Sequence, residues 1–211
     1  MNSYLHPVTP AELSQALTTL CQRIVPNGAP PVYVDVCPLP GAPSKECFPI
    51  VDEYVLSHGG SSVIGWSLWE LPTLFIEAEF HSIWQSPDGA LLDIAPKVEP
   101  TDRILFLHDP ARRYEGRQVN NVRTALRQDS VVNGFLQSCD EEFEFLNRGV
   151  RAGQHEHRLK GAEEVAEYRR IQMKEAQFQD QMLPLFPQVG PYRPCLCGSG
   201  KKAKWCHGVT K

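Results

Sequence analysis

Three cysteines and a histidine crowd residues 195–207, as Cys195-Leu196-Cys197 and Cys206-His207 flanking a glycine- and lysine-rich stretch. Three sulfurs and one imidazole are the number and kind of ligands that tetrahedral structural zinc takes. Gly198 and Gly200 give the backbone the freedom that a tight knuckle needs. Apart from Leu196, Trp205 and Val209 the segment offers little apolar surface, so without a metal it buries too little to hold a fold. The expectation is one structural Zn2+ per chain, ligated by Cys195, Cys197, Cys206 and His207. Such a site is saturated by protein and has no open position for chemistry. Any catalysis must therefore come from elsewhere in the chain.

The stretch Pro194 to His207, PCLCGSGKKAKWCH, resembles the SEC-C motif, the C-terminal zinc-binding module of the SecA protein-translocation motor and of many unrelated bacterial proteins. The resemblance covers only the end of the chain. It implies the same four zinc ligands and a protein–protein interaction role, docking on a chaperone such as SecB or on the ribosome, with Lys201, Lys202 and Lys204 as the docking face. The motif is appended to enzymes and non-enzymes alike, so it leaves the function of the body open.

A length of 211 residues allows one ordinary domain plus this module. The net charge of −4 hides an asymmetry, since residues 191–211 carry Arg193, Lys201, Lys202, Lys204 and Lys211 and no acid. An acidic body argues against general nucleic-acid binding, whereas the basic tail suits contact with an anionic surface such as the ribosome. Met1 to Pro7 has neither a basic nor an apolar signal-peptide region, and no apolar run has the length of a membrane span. Seven cysteines, an odd number clustered as for zinc, fit a reducing cytoplasm better than a disulfide framework.

Along the chain, Thr9-Pro10-Ala11-Glu12 reads as a capping box opening a helix with Leu13, Leu17, Leu20 and Ile24 on its apolar face. A short strand at 31–36, a helix from Cys47 to Ser57, and strands at 62–69, 74–85, 90–94 and 103–107 follow, with the clearest turn at Ser86-Pro87-Asp88-Gly89. Helical spacing resumes over 117–147, and a long charged helix from Ala162 to Met182 leads to a proline-rich linker. The predicted organisation is an α+β domain over 1–150, a helical extension and linker over 151–190, and the zinc module over 191–211.

Cys47 falls at the start of a helix after a flexible loop, where unpaired amides and the positive helix end favour a thiolate. His81 lies on the strand before the turn and Asp93 on the strand after it. The two are nearly equidistant from the turn, so adjacent antiparallel strands can bring imidazole and carboxylate within hydrogen-bonding reach. Nucleophile, base and orienting acid then come in the order Cys47, His81, Asp93, a workable thiol-enzyme set. Residues 44–96 resemble the papain-like superfamily in its transglutaminase-like form, in the matched Cys47, Gly59-Gly60, Gly65-Trp66, His81, Trp84, Gly89 and Asp93. That resemblance implies a helix packed on an antiparallel sheet, and a cysteine hydrolase or an acyl or amide transferase.

Two other readings compete. In the first the body is a non-catalytic adaptor, with Cys47 a packed thiol and the tail docking a client to the chaperone or ribosome. In the second, Glu77, Glu79 and His81 alternate along one strand and form a solvated face or a weak metal site. Trp66, Trp69, Phe75, Phe80 and Trp84 read as core, and Cys21, Cys37 and Cys139 as buried packing thiols.

Overall fold

The computed structural model describes residues 5–153, 157–186, 189–196 and 201–205. It is a mixed α+β structure that divides into two compact units. The first is Met1–Pro7, Leu71–Ile76 and Glu115–Lys211, and the second is Val8–Glu70 and Glu77–Tyr114. No helix among the described residues is long and apolar enough to cross a membrane.

The second unit is built on a small barrel. Strands β1 (Val32–Val36), β2 (Ser61–Leu71), β3 (Phe75–Gln85), β4 (Leu91–Asp93) and β5 (Arg103–His108) follow the order β2-β5-β1-β4-β3, and β3 pairs back with β2 to close the ring. Most neighbours are antiparallel, but β1 runs parallel to β4, with Val36 opposite Asp93. Closure removes the open sheet edges that would otherwise need cover. Val34, Ile83, Ile104 and Phe106 form one buried cluster of this unit. Gly65 lies in β2 where the chain of β5 comes close, and a side chain there would collide with the carbonyl of Leu107.

Helix α1 (Gln15–Ile24) starts later than the predicted capping box, because Ser14 is its N-cap and accepts from the amide of Leu17 at 3.3 Å. The start of that box serves the sheet instead: the preceding Val8 bridges to Glu70, and the Thr9 hydroxyl donates to the carbonyl of Arg103 at 2.7 Å. Leu13 is consequently exposed, and Leu17, Leu20 and Cys21 are the buried face. Helix α2 (Cys47–His58) buries Ile50 and Val51 against Ile94 and Ala95, which continue the chain beyond β4. Burying Val51 completely contributes about 2 kcal/mol.

In the first unit, helices α3 (Ser130–Leu146) and α4 (Gly161–Met182) form the main contact. Asp129 caps α3 by accepting from the amides of Val131 and Val132. Residues 122–125, predicted as helix, form the strand β6 (Val122–Ala125), which pairs with β3. Leu126 donates its amide to the carbonyl of Leu74 at 2.8 Å, so a pairing partner overrides the helical spacing of Val119, Val122 and Leu126. The unit's core gathers Leu5, Leu71, Leu74, Phe75, Val132, Phe135, Met182, Phe186 and Cys195.

Candidate functional site

All of the Cys-His-Asp residues lie in the barrel unit. Cys47 is the first residue of α2, half-buried, and packs against the cluster of Ile50, Val51, Ile94 and Ala95. The chain enters the helix through Lys45, which holds a left-handed φ of 68°. That conformation is costly for a residue with a Cβ and turns the backbone sharply ahead of the cysteine. Glu46 supplies no side-chain cap to the helix. Cys47 stands at the positive end of α2.

His81 and Asp93 are brought together by the register of the β3–β4 hairpin. Trp84 pairs with Leu92 and Gln85 with Leu91, and continuing that ladder puts Asp93 opposite Ile83, one diagonal step from His81 on the same face. Nε2 of His81 lies 3.0 Å from Oδ2 of Asp93, with both side chains buried. The other carboxylate oxygen, Oδ1, accepts the amide of Ala95 at 3.1 Å. Lys97, which the sequence reading passed over, completes the group. Its Nζ lies 2.5 Å from Oδ2 of Asp93 and 2.9 Å from Nε2 of His81.

The electrostatics follow from these contacts. Burial and the Lys97 ammonium both oppose a charge on His81, but Asp93 and Cys47 outweigh them and push its pKa up to about 9. Asp93 is held below the usual carboxylate range: burial works against its charge, and His81 and Lys97 overcome that penalty. Cys47 is thus among the groups whose charge bears on His81, alongside Asp93 and Lys97. An imidazole held by a carboxylate can accept, hold and return a proton.

Aromatic side chains continue from the cysteine. Phe48 stacks on Tyr114 with ring centroids 3.9 Å apart and lies 5.1 Å from Phe80, which in turn lies 5.2 Å from Trp66. Burial, followed by Glu46 and Cys47, raises the pKa of the Tyr114 phenol. Trp66 donates its indole N–H to Asp109 at 3.0 Å, an anchor for the far end of this run. Of the predicted aromatic core, Trp66, Phe75 and Phe80 are buried, whereas Trp69 and Trp84 are only partly so. These two use their indole N–H groups on Glu79 and on the carbonyl of Gly59. Glu79 thus engages a tryptophan while His81 is buried against Asp93, and the described residues contain no group of three metal-ligating side chains. Cys21 is buried as expected, Cys139 is partly buried, and Cys37 is exposed at the end of β1.

Of the predicted zinc ligands, Cys197, Cys206 and His207 lie outside the described residues. Cys195 is buried in the core of the first unit. Around it the tail turns back on itself: Pro194 bridges to Lys202, the Cys195 amide donates to the Lys201 carbonyl, and Ala203 donates to Arg193, both at 2.8 Å.

Comparison with protein-family models, with curated proteins and with solved structures returns no match.

Proposed function

We propose that the barrel unit is a papain-like, transglutaminase-like thiol enzyme that hydrolyses, or transfers to an amine, an acyl or amide group. The observation that carries this reading is the buried His81, held by Asp93 and within the field of the half-buried Cys47 at a helix start. Cys47 gives its proton to His81, and the thiolate attacks the substrate carbonyl carbon, forming a C–S bond and an oxyanion. The tetrahedral adduct collapses with loss of an amine, which takes the proton back from His81, leaving a thioester. Water or a second amine, deprotonated by the same imidazole, then releases the acyl group. Asp93 orients the ring and stabilises the imidazolium.

The tail is the docking part of the same protein in this reading, a structural zinc module ligated by Cys195, Cys197, Cys206 and His207. Exposed Tyr192 and Trp205 flank Lys204, whose Nζ lies 4.3 and 4.4 Å from their ring centroids. Such a cationic, aromatic face suits an acidic protein surface, as on a SecB-like chaperone or the ribosome. A catalytically silent adaptor would use the same tail but would not need the buried His81–Asp93 pair.

Alkylation by iodoacetamide near neutral pH tests the enzyme reading. Cys47 is expected to react faster than the exposed Cys37, and His81→Ala to abolish the difference. Equal rates at the two cysteines, or indifference to His81→Ala, would return the body to the adaptor class.

A further inference from the structure

Three ionisable groups act on the His81 ring, and they come from three places in the barrel unit: Cys47 on α2, Asp93 on β4, and Lys97 in the loop beyond β4. A Cys-His-Asp set is complete without a lysine. Yet Lys97 is no surface bystander, since its side chain is 12% exposed and its Nζ touches both partners of the buried pair. Nζ, Nε2 and Oδ2 form a triangle with sides of 2.5, 2.9 and 3.0 Å. Both groups use Oδ2, while Oδ1 accepts the Ala95 amide.

That triangle has a consequence for proton traffic. An imidazolium donates its Nε2–H to Oδ2, and at 2.9 Å the ammonium then faces a second donor of like charge. A ring that has given up the proton on its other nitrogen keeps its Nε2–H on Oδ2 but carries no charge, so the ammonium holds its bond to Asp93 without a second cation beside it. Lys97 therefore favours the ring that has given up its proton, whereas Asp93 and the Cys47 thiolate favour the ring that has taken one up.

Resting on the thiol-enzyme reading, we propose that Lys97 is a positioning residue of the site: by sharing Oδ2 of Asp93 with His81 it loosens the carboxylate's hold on the imidazolium, so that the proton taken from Cys47 can be passed on to the leaving amine. Without that counterweight the ring, already biased towards its charged form, would bind the proton more tightly and be a weaker acid. The step is a proton transfer between groups already named and needs no further reactant.

The test is an NMR titration of the His81 ring, assigned by its loss in His81→Asn, in wild type, Lys97→Met and Lys97→Arg, each repeated in a Cys47→Ala background. Lys97→Met is expected to move the midpoint up by about one pH unit, the effect of removing a like charge at contact distance, with Lys97→Arg staying near wild type. A wild-type or lower midpoint in Lys97→Met, or an equal rise in Lys97→Arg, overturns the proposal. A merely structural lysine would show as lost thermal stability without that shift. Lys97→Gln, read against Lys97→Arg, replaces the methionine variant if the latter does not fold. The enzyme reading fails separately: Cys47 would then alkylate no faster than Cys37 and Cys47→Ala would leave the His81 midpoint unmoved, whatever Lys97→Met does.

Discussion

Asp93 sits one diagonal step from His81 across the β3–β4 hairpin, with its Oδ2 3.0 Å from Nε2 and no exposure to solvent. Proton linkage makes this pair a determinant of stability as well as of chemistry. The folded His81 has a pKa raised to about 9, above the ~6.5 of an unfolded histidine. Its contribution is fully present below about pH 6.5 and is lost as pH rises through about 9. Asp93 is lowered, so its contribution is present above an unfolded value of about 3.9 and fades as pH falls through its folded value. Thermal unfolding of wild type against His81→Asn should therefore show the largest wild-type advantage between about pH 4 and 6.5. A difference that stays flat from pH 5 to 9 would mean that the ring is not charged in the fold.

The α3–α4 pair carries the opposite dependence. Burial, then the neighbouring Glu142, pushes the Glu175 carboxyl up to about 7, while a hydrogen bond with Cys139 and the charge of Arg123 only partly counteract this. Glu142 is itself engaged by the Tyr168 hydroxyl at 2.9 Å. A raised acid destabilises the fold once it ionises, so stability falls as pH rises from about 4.5 to 7. Glu175→Gln is expected to stabilise the protein by about 1–2 kcal/mol at pH 8 and to change little at pH 4, after discounting for partial solvent access. Denaturant melts at the two pH values check this, and equal effects at both would rule out the ionisation.

Two glycines should respond unequally to alanine. At Gly65 the new methyl meets the backbone carbonyl of Leu107, and the paired strands can yield only by separating. At Gly134 it meets the ring of Phe178 across the α3–α4 contact, and a side chain can turn aside. Alanine also gains about 1 kcal/mol of helix propensity there. Gly65→Ala is expected to cost about 3 kcal/mol and Gly134→Ala about 1 kcal/mol or less. Chemical denaturation of the two variants measures the order, and the reverse order would show that the close approach of β2 and β5 is not what excludes a side chain at Gly65.

The β3–β4 hairpin was legible because its signals are local: apolar strands and a Ser86-Pro87-Asp88-Gly89 turn fix which residues meet, and His81 and Asp93 follow. The start of α2 was legible for a similar reason, since Pro49 is tolerated only near a helix beginning. Lys97 left no such trace, because its loop is irregular and its partners are set by how that loop folds back over β4. Strand β6 was hidden for another reason. Val119, Val122 and Leu126 fit helical spacing, and only a distant pairing decides their state. The capping box at Thr9 misled in the same way, as its hydroxyl found a carbonyl nearly a hundred residues away. Cys37, expected to be buried, lies just beyond β1 and is exposed.

The short segment Leu71–Ile76, the end of β2, the turn and the start of β3, belongs with residues 115–211 rather than with the rest of the barrel strands. Leu71, Leu74 and Phe75 are fully or almost fully buried in a core completed by Met182, Phe186 and Cys195. During synthesis these three side chains leave the ribosome long before their partners exist. A fragment ending at Tyr114 would therefore keep the candidate catalytic residues and still present a greasy hairpin tip to solvent, a liability for any nascent chain. Neither unit can be freed by one cut, and the chain that carries Cys47, His81 and Asp93 also carries a hairpin tip whose apolar partners lie between Val132 and Cys195.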